Sequence, residues 1–232
     1  MDPVIRPDLA AALSAVGARI ERAARRVGRN PAAVRLVAVS KTRPAEDVRA
    51  ALAAGQRLFG ESYAQELRDK ARQLAGESPA PEWHFIGPLQ RNKVKYVVGT
   101  ATLLHGIESR ALAGEIDRRA AATGRVQDLL LEVNVAREPQ KHGVAPEALA
   151  ELLAAIRPLA HVRCRGLMTM APLSEDAEAS RPHFRALREL AAAHGLAELS
   201  MGMTQDLEVA VEEGATLVRV GTAIFGAREA AG

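Results

Sequence analysis

Apolar residues along this chain fall into two patterns that alternate. Short runs such as "LVAV" (36–39) and "DLLLEVNV" (128–135) are apolar at nearly every position, as strands are when both faces of a parallel sheet are covered. Between them, alanine-rich stretches place apolar residues three or four apart with charges on the other side, the spacing of an amphipathic helix. The pattern predicts eight strands, over 34–40, 57–61, 82–87, 102–107, 128–135, 162–170, 198–203 and 217–225. It predicts helices over 45–54, 62–74, 89–98, 110–123, 146–156, 175–194 and 205–213, with an extra helix over 7–27 before the first strand. Eight alternations in about 200 residues favour an α/β fold, a single (β/α)8 TIM-like barrel, over an open doubly wound sheet. One domain covering 1–232, with its extra N-terminal helix, is expected. Functional groups should then gather where strands end and βα loops begin.

Composition sharpens this only in part. The chain is 48% apolar but 3% aromatic, so its core must be built from Ala, Val, Leu and Ile. Its 31 basic and 28 acidic residues nearly balance, and no block of five or six like charges occurs, so nucleic acid is not implied as a partner. The single Cys164 excludes an internal disulfide and a cysteine-based metal cluster. The opening "MDPVIRPDLA" lacks the basic and apolar segments of a signal peptide, and no run approaches the roughly 18 apolar residues of a membrane span. A cytoplasmic protein with no membrane partner is expected. The six histidines show no metal-binding spacing.

Of the 31 basic residues only five are lysines, at 41, 70, 93, 95 and 141. Lys41 ends the first strand, in "LVAVSKTRP", where partial burial would make its amine available to attack a carbonyl. A snorkelling surface lysine is the alternative. "ELSMGMTQDLEVAVEEG" supplies Ser200, Thr204 and the open N–H groups of a helix start, a setting for an anion; an N-cap by Thr204 explains it equally well. "LVRVGTAIFG" follows the eighth strand with Gly221 and Thr222, where barrels cradle phosphates. Arg219 alternates with Val218 and Val220 and so points inward, toward a ligand or into an ion pair with a barrel acid such as Glu132. In "WHFIGPLQRNK", His84 reads as ligand contact or satisfied core residue. "RGLMTMAP" places Met168 and Met170 at a strand end, to pack on a flat ring or fill core, with core the reading for Met170.

Taken together, "VAVSKTRP", "FGESYAQE", "WHFIGPLQRNK", "RGLMTMAP", "SMGMTQDLEVAVEEG" and "VRVGTAIFGAR" resemble, in order and spacing, the pyridoxal phosphate homeostasis proteins (the YggS/PROSC family) over residues 36–228. The resemblance implies a barrel like the alanine racemase N-terminal domain, holding pyridoxal 5'-phosphate (PLP) at the strand ends. By the same resemblance Lys41 is the Schiff-base lysine and Arg219 faces the pyridine nitrogen. Ser200, Thr204, Gly221 and Thr222 match the phosphate region, and Met168 lies beside the ring. Ser62 departs from the family's usual asparagine and lacks the amide donor. "EPQKHGV" around Lys141 resembles a loop whose lysine is a candidate second aldehyde acceptor.

An arginine at the pyridine nitrogen weakens the ring as an electron sink, although alanine racemase shares that feature. Racemisation also needs proton donors on both faces of the substrate, and only six residues follow Gly226, so no second domain is expected. The sequence therefore points to a monomeric, non-catalytic PLP carrier in cofactor and amino-acid balance, with PLP-dependent apoenzymes as partners. A PLP-dependent amino-acid racemase and a Schiff-base barrel aldolase without PLP are the alternatives.

Overall fold

The computed structural model describes residues 7–227, so Arg228, the end of the last motif, lies outside the described residues. Eight strands, β1 (Arg35–Val39), β2 (Leu58–Glu61), β3 (Glu82–Phe85), β4 (Leu103–Ile107), β5 (Gln127–Glu132), β6 (Val162–Met168), β7 (Glu198–Ser200) and β8 (Leu217–Val220), close into one parallel barrel. Closure is made by β8 returning to β1, in register from Arg35 opposite Leu217 to Ala38 opposite Val220. The expected (β/α)8 architecture is the one observed.

Two apolar clusters follow from the two-residue alternation of the strands. Val37, Leu58, Leu103, Leu130, Met168 and Leu217 form an inner cluster, one residue from each of six strands. Their immediate neighbours Ala38, Phe59, Leu104, Leu129 and Leu131, Leu167 and Val218 belong to the larger cluster that the helices cover. The helices bury the stripes their sequences predict. In α5 (Arg110–Ala121), Leu112, Ala113, Ile116 and Ala120 are buried, and the Ser109 side chain accepts the Leu112 N–H to cap the helix. The extra helix α1 (Pro7–Arg26) buries Leu9, Val16, Ile20, Ala23 and Ala24. It is pinned to α8 (Leu207–Glu212) by Arg19 to Glu208 at 2.6 Å.

The remaining helices are α2 (Ala45–Ala53), α3 (Ala64–Gln73), α4 (Val94–Val97), α6 (Leu149–Ile156), α7 (Arg181–Ala193) and α9 (Thr222–Phe225). Several differ from the predicted spans. The expected strand over 217–225 stops at Val220, and Gly221 turns the chain into α9. The helix expected over 89–98 is a 3-10 turn, Arg91–Lys93, followed by one turn of α-helix. Strand β6 ends two residues early, at Met168, which leaves Met170 in the loop beyond it. Among the described residues no helix is long and apolar enough to cross a membrane.

Candidate functional site

The C-terminal ends of the strands surround a cavity of about 550 Å³. Its wall takes Lys41 from the end of β1, Ser62 from β2, Ile86 from β3, Met170 from β6, Thr204 from β7 and Arg219 from β8. Six strands that are far apart in sequence thus contribute to one site, as barrel topology requires.

Lys41 is held through its neighbours. The Ser40 carbonyl accepts from Lys70 Nζ at 2.6 Å, and the Ser40 hydroxyl donates to Glu61 Oε1 at 2.7 Å. On the other side the Thr42 N–H donates to Glu66 Oε1 at 2.6 Å. Lys70 Nζ joins both acids, donating to Glu61 and to Glu66 at 2.7 Å each. Thr42 sits at φ 64°, a left-handed conformation that a β-branched residue rarely adopts. Such an outlier persists when its surroundings over-determine it, and the Glu66 bond to its N–H is one constraint of that kind. Burial pushes the Glu61 carboxyl up to about 7, against the opposing pull of the Lys70 ammonium.

Arg219 is 5% exposed and reaches the cavity from β8. It donates to the Ser200 hydroxyl at 2.5 Å and to the Thr169 carbonyl at 3.0 Å. Among the described residues it makes no ion pair, so the pairing with Glu132 that the sequence allowed is not formed. Glu132 acts on Arg219 only through its field, and burial lowers the guanidinium to about 10.

Thr204, Gly221 and Thr222 come together at the cavity. Helix α9 opens at Thr222, whose N–H and that of Ala223 stand at an open helix start. Thr204 is not an N-cap: α8 begins at Leu207, and the Thr204 carbonyl accepts from Arg19 at 2.8 Å. Asp206, the acid nearest this region in sequence, is turned to structural use. Its Oδ1 accepts from the Met203 N–H at 2.7 Å and its Oδ2 from the Ser180 hydroxyl at 3.0 Å. Gly202 makes the tight turn possible, with φ 89° and a Cβ position only 2.4 Å from the Ala210 Cβ.

Two expected site residues lie deeper than the sequence implied. Ser200 is fully buried beneath Arg219 and does not line the cavity. Met168 belongs to the inner apolar cluster, whereas Met170, read as core, is 39% exposed and lines the cavity. Arg43, Ile86 and Met203 were not singled out, and they also line it. For Ile86 the signal is phase, since it follows His84 by two residues along β3's direction; nothing in the sequence pattern marks Arg43 or Met203.

The fold and this lysine-bearing mouth define a barrel of the alanine racemase type. The family described as alanine racemase, N-terminal domain, matches residues 12–229. A pyridoxal phosphate homeostasis protein of Aquifex aeolicus is 45% identical over 223 residues, covering 94% of this chain and 97% of the relative. Its namesake in Escherichia coli is 40% identical, covering 96% and 97%. Among solved structures, PipY of Synechococcus elongatus with PLP bound superposes with a TM-score of 0.82 at 38% identity, covering 94% of this chain and 100% of PipY. Clostridium difficile alanine racemase shares the fold, with a TM-score of 0.72 at 12% identity, covering 96% of this chain and 57% of the racemase. The chain belongs to the family of pyridoxal phosphate homeostasis proteins.

Proposed function

We propose that the cavity binds PLP, attached covalently through Lys41 Nζ, and that the protein keeps this cofactor in balance without turning over a substrate. The observation that carries this reading is that Lys41 and the buried guanidinium of Arg219, itself bonded to the Ser200 hydroxyl and the Thr169 carbonyl, line one cavity. The residues present fit the group. Ile86, Met170 and Met203 offer apolar surface to a flat ring, while Thr204, Gly221 and Thr222 offer hydroxyls and backbone N–H groups to a phosphate. Bound PLP supplies an aldehyde that captures amines and a ring that withdraws electrons. Lys41 holds the aldehyde carbon, which a guanidinium in its place could not do. Arg219 donates to the ring nitrogen and keeps its own proton at neutral pH, which leaves the ring a weak electron sink.

The cavity's titratable groups support a carrier. Among the described residues these are Lys41, Arg43, Asp206 and Arg219. Arg219 keeps its proton at neutral pH and Asp206 is committed to Met203 and Ser180, so neither supplies the second acid–base group that racemisation requires. The protein acts in this reading as a cytoplasmic monomer that passes PLP to apoenzymes. Titration with PLP tests it: a visible absorption band should form in the wild type and be absent in Lys41→Arg, with no deuterium exchange at the α-carbon of added amino acids. Sustained α-proton exchange would instead establish a racemase. A colourless protein trapped by borohydride on a sugar phosphate would establish an aldolase.

A further inference from the structure

Below the cavity a line of polar side chains runs down the interior of the barrel. Arg219 meets the Ser200 hydroxyl, Ser200 meets His105 Nδ1 at 2.8 Å, and His105 Nε2 meets His84 Nδ1 at 2.9 Å. His84 Nε2 then faces the Glu82 carboxylate at 3.5 Å, at the start of β3 and the opposite end of the barrel. Ser200 and His105 are 0% exposed and His84 is 1% exposed, so bulk solvent does not reach these three side chains.

The chemistry of the ends fixes the direction of every bond between them. A guanidinium only donates, so Ser200 Oγ accepts from Arg219. The single Ser200 proton then has His105 Nδ1 as its partner, which makes that nitrogen an acceptor. The His105 proton is therefore on Nε2 and is donated to His84 Nδ1. That places the His84 proton on Nε2, toward the carboxylate. The reverse order would leave the Ser200 proton without an acceptor and turn a lone pair of His84 toward an anion. Cation and anion thus demand the same direction.

We infer that Ser200, His105 and His84 form a one-way hydrogen-bond relay, with both imidazoles neutral and protonated at Nε2, that positions Arg219 as a donor toward the cofactor ring. The inference rests on the PLP reading and adds positioning residues to it. Arg219 gains a fixed acceptor in a place where a carboxylate would neutralise it. Two of its five N–H groups are spent on Ser200 and Thr169, and the guanidinium plane is set by both. Neutral imidazoles carry the polarity of Glu82 to the mouth without burying a second charge.

The first test needs no cofactor. Two-dimensional 15N NMR of protein labelled in histidine should show His84 and His105 as Nε2–H tautomers at neutral pH; an Nδ1–H tautomer or an imidazolium at His105 would overturn the relay. The second test reads the cofactor. Wild type is titrated with PLP beside Ser200→Ala and Ser200→Thr. Ser200→Ala should keep a visible band but displace it and raise the dissociation constant about tenfold, the scale of one lost bond to a charged group. Ser200→Thr, which restores the hydroxyl, should recover the wild-type position. A wild-type spectrum and affinity in Ser200→Ala would overturn the positioning role while the PLP reading stood. No band in the wild type would remove the PLP reading and the relay's role with it.

Discussion

Two buried polar clusters serve the two ends of the proposed cofactor, and they are built on opposite principles. Around Lys41 the groups are ionisable: Lys70 is 5% exposed and bridges Glu61 and Glu66, while both flanking residues of Lys41 are bonded into the bridge. Beneath Arg219 the groups it is hydrogen-bonded through are neutral, a serine and two imidazoles, and the nearby Glu132 carboxyl acts only through its field. The difference follows from where each cluster sits. The first lies between strand ends and α3, where an ammonium can meet two acids without touching the cavity. The second lies inside the barrel, where a carboxylate beside Arg219 would take the charge that the cavity needs. Opposite charges clamp a backbone; aligned neutral dipoles aim a cation and leave it a cation.

The largest expected effect breaks the charged cluster. Lys70→Met leaves Glu61 buried without its ammonium and should cost about 3–5 kcal/mol of stability, read from the denaturation midpoint. A loss under about 1 kcal/mol would mean that the bridge behaves as a surface ion pair does.

The next contrast is in pH, where the clusters should act with opposite sign. Burial raises Glu61 to about 7, so the folded chain holds a proton that the unfolded chain releases in the ordinary carboxylate range. The Glu61 contribution is then full below that range and is lost as pH rises toward about 7. His84 and His105 are both lowered by burial. Unfolding lets them bind protons below the ordinary histidine value, so their contribution is present above it and lost as pH falls. Glu61→Gln should flatten the first slope and leave the second, as stability curves measured from pH 5 to 8 would show. Unchanged slopes in that variant would assign the titration elsewhere.

The smallest effect belongs to the remote end of the relay. Glu82→Gln keeps an oxygen to accept from His84 at a half-exposed position, so it should change stability by less than about 1 kcal/mol and leave the His84 and His105 tautomers intact. A tautomer change in the same NMR spectra would show that the charge of Glu82, rather than its lone pair, sets the direction.

Much of this molecule was legible in its sequence because one physical rule, burial on both faces of a parallel sheet, writes itself into contiguous apolar runs. The barrel, the extra helix and the inward phase of Arg219 all follow from it. Depth is harder to read than phase. Ser200 and Met168 were expected at the cofactor, yet each sits one layer below the mouth, because strand alternation repeats every two residues and does not say where a strand stops. The span 217–225 ran past Gly221 for a similar reason: the apolar count continues through Ala223, Ile224 and Phe225, while β8 stops at Val220 and the chain turns into α9. The two polar clusters were not legible. Their members are joined by pairing across β1, β2 and α3, and across β3, β4, β7 and β8, and the spacing along the chain carries no trace of that.

The central claim is that Lys41, among five lysines, is the one that carries PLP. Borohydride reduction of the PLP-loaded protein followed by peptide mass mapping tests it directly. The account predicts a single stable pyridoxyl adduct on Lys41. An adduct confined to Lys70, Lys93, Lys95 or Lys141, or none at all, would contradict it.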